Sequence, residues 1–370
     1  MRLALPTLVL SGLVPACSLP NKAVPYPTAT VADTAVTEPA VEPEPTAKTP
    51  AGLVKYFARE IDLQPFLVGF PYGKYQPSLR TGRMFYFALG DAYALQSLSL
   101  ETPGATWDLA KGTRLGDLDW SKRSLWSTHH HPGTNALWMH ADAANDEKMN
   151  LFRMSLADGS VTQVTQHDYV YGMGFSADDS TIAYLPRSGT KAPFRTCLRL
   201  RDVASGSERE VVCDTPALTF TWSTPRFSPD GKEVYFVAQV RGDRNRVQVV
   251  KVDLGATKPK VQTLTDVRAR RSELDLLEPG PGDEQIYVAN DDGFANLYAW
   301  SRKTRKTRKL TAFKEDVTSA AMTDRGVVAV HRTPAGSTLV LVDPSTGAVK
   351  DERKLPGSVD VLDAVDGQPS

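Results

Sequence analysis

The sequence predicts an all-β protein: a propeller of six four-stranded antiparallel blades, preceded by a disordered N-terminal segment. Three observations carry this. From about residue 51 onward there is no amphipathic helical period, only short alternations of apolar and polar residues broken by Gly, Pro, Asp and Asn. An aromatic or apolar centre recurs at Tyr86, Trp138, Tyr184, Tyr235, Tyr287 and Val328, at spacings of 52, 46, 51, 52 and 41 residues. Six units of about 48 residues match the period of a propeller blade. Finally, tight turns rich in Asp and Gly stand directly before the centres of the third and fourth units.

Met1 and Arg2 precede an apolar stretch, residues 3–14, that is too short for a membrane span of about 20 residues. Residues 1–16 read as a signal peptide, and Leu13-Val14-Pro15-Ala16-Cys17 resembles the bacterial lipobox, in which the cysteine becomes lipidated after cleavage. Pro15 departs from the small residue usual at its position. Ser18 after the cysteine resembles an outer-membrane sorting signal. Nine of the 26 prolines fall in residues 1–50. Residues 17–50, with few large apolar side chains, form the expected tether. In the polyproline limit, residues 18–50 could reach roughly 100 Å.

Residues 51–370 form the predicted propeller. Each centre is followed by a further β run, at 95–100, 151–156, 197–201, 247–252, 297–300 and 339–342. A turn and a fourth strand complete each sheet, and several end in Leu-Thr, as at Leu264-Thr265 and Leu310-Thr311. Ring closure has two candidates: residues 53–61 or 359–364 supply a strand to a shared blade.

The third and fourth units carry the turns Phe175-Ser176-Ala177-Asp178-Asp179-Ser180 and Phe227-Ser228-Pro229-Asp230-Gly231-Lys232. On these turns and the strands after them, the chain resembles the TolB-like six-bladed propellers with WD40-like repeats, over residues 53–370. Units one, five and six keep the period but replace the turn, with Leu79-Arg80-Thr81-Gly82-Arg83, Pro279-Gly280-Pro281-Gly282-Asp283 and Thr323-Asp324-Arg325-Gly326. The resemblance implies an architecture and, through TolB's part in envelope assemblies, contact surfaces at the central funnel and loop faces. The fold hosts many functions, so no chemistry follows from it.

Three groups of residues are candidates for chemistry. Cys197 and Cys213 flank the turn at 203–207, and a hairpin pairing 202 with 208 sets them opposite each other, so a disulfide worth about 3 kcal/mol is expected in an exported chain. Two thiols binding a metal is the competing reading, and no further ligand completes it. His129-His130-His131, with His140 nearby, is the single histidine cluster. His129 and His131 share a strand face and are weak metal candidates, while Pro132-Gly133 marks a first-to-second-strand turn and a solvated setting. Arg302, Lys303, Arg305, Lys306, Arg308 and Lys309 put six positive charges in eight residues, on a third-to-fourth-strand hairpin. They read either as a solvated edge that blocks sheet pairing or as a docking patch for an acidic protein or anionic polymer.

The chain has 43 basic and 43 acidic residues, which excludes a globally charged nucleic-acid binder. It has no Gly-x-Ser-x-Gly elbow, Walker loop or His-Glu-x-x-His, and it stops where propeller-bearing prolyl peptidases would begin their hydrolase domain. No catalytic residue and no cofactor are expected. The leading expectation is a non-enzymatic lipoprotein of the bacterial envelope, outer-membrane anchored and facing the periplasm. Its monomeric propeller would bind an envelope protein or peptide, an acidic one if the basic hairpin is the dock. A propeller enzyme or a small-ligand or metal binder using central-channel loop residues is the alternative, and a surface-exposed adhesive lipoprotein is a third reading.

Overall fold

The computed structural model describes residues 82–89, 93–99, 109–189, 194–266, 270–272, 274–280, 284–323, 325–333 and 336–355, and the backbone of 10–11, 53–56, 59–62, 72–78 and 361–362. The signal peptide and tether therefore lie outside the described residues, apart from the two-residue strand Leu10–Ser11. Cys17 also lies outside them.

Six antiparallel sheets follow one another along the chain. Blade I is Tyr72–Ser78, Arg83–Leu89, Tyr93–Ser99 and Thr113–Arg114. Blade II is Leu125–His131, Ala136–Ala141, Asn150–Ser155 and Val161–Gln163. Blade III is Tyr169–Phe175, Thr181–Ser188, Arg195–Asp202 and Glu208–Cys213. In blade IV the first strand comes in two pieces, Leu218–Phe220 and Arg226–Phe227, both paired with Glu233–Val240 and followed by Val247–Asp253 and Val261–Thr263. Blade V is Leu274–Pro279, Glu284–Ala289, Asn296–Ser301 and Thr307–Lys309, and blade VI is Val317–Thr323, Gly326–Thr333, Gly336–Val342 and Val349–Leu355.

Among the described residues every blade is built from one continuous stretch, and neither candidate for a shared blade adds a strand to one. Leu53–Tyr56 pairs with Arg59–Asp62 in a hairpin of its own, and Val361–Leu362 pairs with Leu10–Ser11. Side-chain packing between sheets holds neighbouring blades together.

That packing follows from strand alternation, which sends successive side chains to opposite faces. Phe85 and Phe87 of blade I meet Leu137, Met139 and Ala141 of blade II. Ala183 and Leu185 of blade III meet Val234, Phe236 and Ala238 of blade IV. Ile286 and Val288 of blade V meet Val327 and Ala329 of blade VI. All six repeat centres lie on second strands, as expected, and Tyr86, Tyr184, Tyr235 and Tyr287 are each 1% exposed or less. Burying such side chains contributes about 2–3 kcal/mol apiece.

The centres do not share a face. Trp138 packs toward blade III and Tyr235 toward blade V, whereas Tyr184 packs back toward blade II and Tyr287 toward blade IV. The turns set the true register: Ser176 N donates to Thr181 O just as Ser228 N donates to Glu233 O, so Tyr184 corresponds to Phe236 rather than Tyr235. A one-residue offset in a strand exchanges its faces, and spacings of 46 and 51 conceal such an offset.

The two turns are built alike. Ser176 Oγ and Ser228 Oγ each donate to the aspartate two residues on, at 2.6 Å, and each accepts the N–H five residues on, at 3.0 and 2.9 Å. The Leu-Thr signature also has a cause: Thr265 Oγ1 accepts from Val249 N and donates to Gln248 Oε1, and Thr311 Oγ1 does the same with Leu297 N and Asn296 Oδ1. Thr165 repeats this in blade II, with Leu151 N and Asn150. A buried threonine thus satisfies polar groups of the third strand where the fourth strand ends.

First strands of blades I and II, III and IV, IV and V, and V and VI run beside one another, which places them innermost. Blades III and IV approach closely at two glycines. A Cβ on Gly172 would lie 2.0 Å from Ser223 O, and one on Gly174 would lie 1.8 Å from Pro225 O. Only glycine fits at these two positions.

Candidate functional site

Cys197 and Cys213 form the expected disulfide, Cα to Cα 3.9 Å. The register that aligns them differs from the one expected at the turn. Arg201, not Asp202, faces Glu208, and a bulge between the Leu198 and Arg199 pairs shifts the ladder by one residue to bring Cys197 opposite Cys213. Glu210 Oε1 lies 3.1 Å from Cys213 Sγ, and these three residues are the one group of metal-ligating types that converges among the described residues. With both sulfurs bonded to each other, it is not a thiolate site.

The histidines are not solvated. His129, His130 and His131 end the first strand of blade II, the turn being Pro132–Thr134, and His140 lies on the second strand; His130, His131 and His140 are buried. As expected, His129 and His131 share a face, and both reach one residue of blade III. His129 Nε2 is 3.0 Å from Asp179 Oδ1 and His131 Nε2 is 3.1 Å from Asp179 O. His131 Nδ1 accepts from Thr134 N at 3.0 Å, so both of its ring nitrogens are committed. His129 stacks on Phe175, centroids 3.8 Å apart. His140 Nε2 donates to Val170 O at 2.8 Å, and burial drives its pKa down to about 4, so it is neutral at pH 7. This cluster clamps blade II to the turn of blade III, leaving His131 without a free ligand nitrogen.

The basic hairpin sits where expected, between the third and fourth strands of blade V, but its charges divide. Arg308 holds Glu284 through Nη2 at 2.6 Å and Nε at 3.1 Å, Lys309 holds Asp292, and Arg302 lies 3.7 Å from Glu233. Lys303, Arg305 and Lys306 are exposed. Lys251, Arg302, Arg305, Gln262, Thr263, Leu264 and Trp300 line a shallow depression beside the hairpin. Half of the patch is therefore tied to carboxylates of blades IV and V.

A second feature had no counterpart in the sequence reading. Among the described residues five large apolar side chains are exposed, and three of them converge: Trp126 at 54%, Trp222 at 42% and Phe194 at 40%. Trp126, from the first strand of blade II, stacks on Trp222, from the broken first strand of blade IV, with centroids 4.3 Å apart and planes 27° apart. Tyr169 and Tyr171, two residues apart on the first strand of blade III and so on one face, meet Trp222 at 5.0 and 5.5 Å. Arg187, near the end of the next strand, lies over three rings, 5.2 Å from Tyr169, 5.8 Å from Tyr171 and 4.4 Å from Phe194.

The tight III–IV approach at Gly172 and Gly174 brings Trp222 against Tyr169 and Tyr171. Burial pushes the Tyr169 phenol up, neighbouring Tyr171 adds to this, and Arg187 opposes it only in part. Tyr169 therefore stays protonated at neutral pH and offers Arg187 no phenolate. Among the described residues no carboxylate lies within ion-pair distance of Arg187, and its buried Nε has no hydrogen-bond partner. Three of these residues stand early in first strands and Arg187 late in a second strand. The cluster thus lies at the strand ends opposite the first-to-second and third-to-fourth turns, and so opposite the basic hairpin. The Tyr169-Val170-Tyr171 alternation was its one local signal; the rest comes from three separate blades.

The geometry above agrees with comparison to known proteins. The family model for the dipeptidyl peptidase IV N-terminal region matches residues 136–329. Among solved structures, a prolyl endopeptidase is similar at 16% identity and TM-score 0.58, over 77% of this chain and 42% of its own. A puromycin-hydrolysing peptidase of Mycobacterium tuberculosis is similar at 15% identity and TM-score 0.58, over 77% of this chain and 44% of its own. The chain thus spans less than half the length of these two peptidases. TolB of Acinetobacter baumannii matches at 18% identity and TM-score 0.45, over 81% of this chain and 72% of its own. A comparison with curated proteins finds no match. The matched stretch runs from the second strand of blade II into that of blade VI, and the chain belongs to the dipeptidyl peptidase IV N-terminal region family.

Proposed function

We propose that this propeller is a non-enzymatic binding platform for a segment of another protein, tethered at a bacterial envelope through lipidated Cys17 and facing the periplasm from the outer membrane. The observation that carries the binding role is the aromatic cluster around Arg187, in which Trp126, Trp222 and Phe194 are exposed and pack with half-buried Tyr171 and buried Tyr169. Leaving two stacked tryptophans in water forgoes burial that the rest of the chain exploits, and aromatic residues with arginine dominate the energetics of protein interfaces. The innermost strands provide a rigid base, because packed sheets fix the rings before a partner arrives and reduce the ordering cost of binding. The lipobox-like residues and the Pro-rich stretch support the envelope setting.

The test is in-cell crosslinking of the affinity-tagged full-length protein followed by mass spectrometry, with Cys17→Ala as the mislocalised control. Recovery of one or two envelope proteins in near-equal amounts, lost in the control, supports the reading. Recovery of none, or of the same proteins from Cys17→Ala, overturns it.

A further inference from the structure

Resting on that reading, we propose that the aromatic cluster selects an acidic, extended protein segment, with Arg187 as the receptor for its carboxylate. Three facts support this. Arg187 is a permanent cation whose guanidinium is held by three aromatic rings and, among the described residues, by no acid. Among the described residues its buried Nε has no hydrogen-bond partner, so no acceptor there has claimed this guanidinium. The cation also sits inside an apolar surface formed by Trp222, Tyr169, Tyr171 and Phe194, where a bound carboxylate is shielded from water and its attraction to the guanidinium strengthens. A basic segment would bury two like charges together, and a neutral one would leave the guanidinium charge uncompensated.

The contrast with the hairpin at 302–309 sharpens the choice. There Arg302, Arg308 and Lys309 already face Glu233, Glu284 and Asp292. The acid-seeking surface is therefore placed on the opposite side of the ring from the more conspicuous run of charge.

The test uses the full chain and three synthetic decapeptides with one shared apolar core, flanked by glutamate, glutamine or lysine, followed by fluorescence anisotropy. The glutamate peptide should bind roughly tenfold more tightly than the glutamine peptide, and the lysine peptide least. Arg187→Gln should erase the difference between the glutamate and glutamine peptides, bringing both to one affinity. Equal binding of all three peptides to the wild type overturns acid selection and leaves the platform standing. Indifference of every peptide to a Trp126→Ala/Trp222→Ala double variant overturns the platform site itself. Binding of alginate but of none of the peptides overturns the protein-segment assignment in favour of an acidic polysaccharide.

Discussion

His129 Nε2 lies 3.0 Å from Asp179 Oδ1, and Asp179 holds a left-handed backbone (φ 57°) at the position where the equivalent turn of blade IV has Gly231 (φ 68°). A histidine of one blade therefore braces a conformation that glycine adopts freely in another. The pair links a local turn to the contact between blades.

Replacing Asp179 separates these two effects. Asp179→Ala removes the His129 contact and leaves a Cβ at positive φ, so it should destabilise by about 1–3 kcal/mol. Asp179→Gly removes the same contact without the backbone penalty and should cost about 1 kcal/mol less. Urea unfolding of both variants checks the order; equal stability would show that the backbone is not strained.

At the inner ring, Gly174→Ala should destabilise by about 1–3 kcal/mol, because its Cβ would meet the Pro225 carbonyl and neither backbone can yield cheaply. Gly231 has open space around the same atom, so Gly231→Ala should cost only the positive-φ penalty, about 1 kcal/mol. Thermal unfolding compares them, and the Gly174 variant should also weaken the Trp222–Tyr169 contact, visible in tryptophan fluorescence.

Removing the disulfide through Cys197→Ser/Cys213→Ser should lower stability by about 3 kcal/mol, as should reductant on the native protein. Thiol titration without reductant should find neither cysteine reactive. Two reactive thiols in the folded domain would contradict the pairing.

Acid should weaken the fold through His140. Its folded-state pKa, about 4, lies below the unfolded value of 6.5, so between these limits the unfolded chain binds the proton and the folded chain does not. Stability from this residue is complete above pH 6.5 and is lost as pH falls to 4, by about 3 kcal/mol in all. Carboxylates titrate in the same range, so the measurement is a difference: His140→Gln should flatten the slope of unfolding free energy between pH 4 and 6.5 relative to wild type. An unchanged slope would refute the assignment.

What the sequence disclosed and what it concealed divide by range. The turns at 175–180 and 227–232 are legible because serine and aspartate bond to backbone within five residues. The disulfide is legible because a hairpin is local, although the bulge that completes its register is not. The faces of Tyr184 and Tyr235 are concealed, since a period near 50 does not fix the parity on which strand faces depend. The histidines misled for a related reason: Asp179 and Phe175, which bury and bind them, come from the next blade. Trp126 and Trp222 stack across three blades, and nothing in either neighbourhood announces the other.

The most direct measurement of the central claim is site-specific photocrosslinking in cells, with p-benzoylphenylalanine replacing Trp126 or, as a control, exposed Val349 on the last strand of blade VI. The platform account predicts one dominant protein adduct from position 126 and none from 349. Equal adducts from both positions, or none from 126, would contradict it.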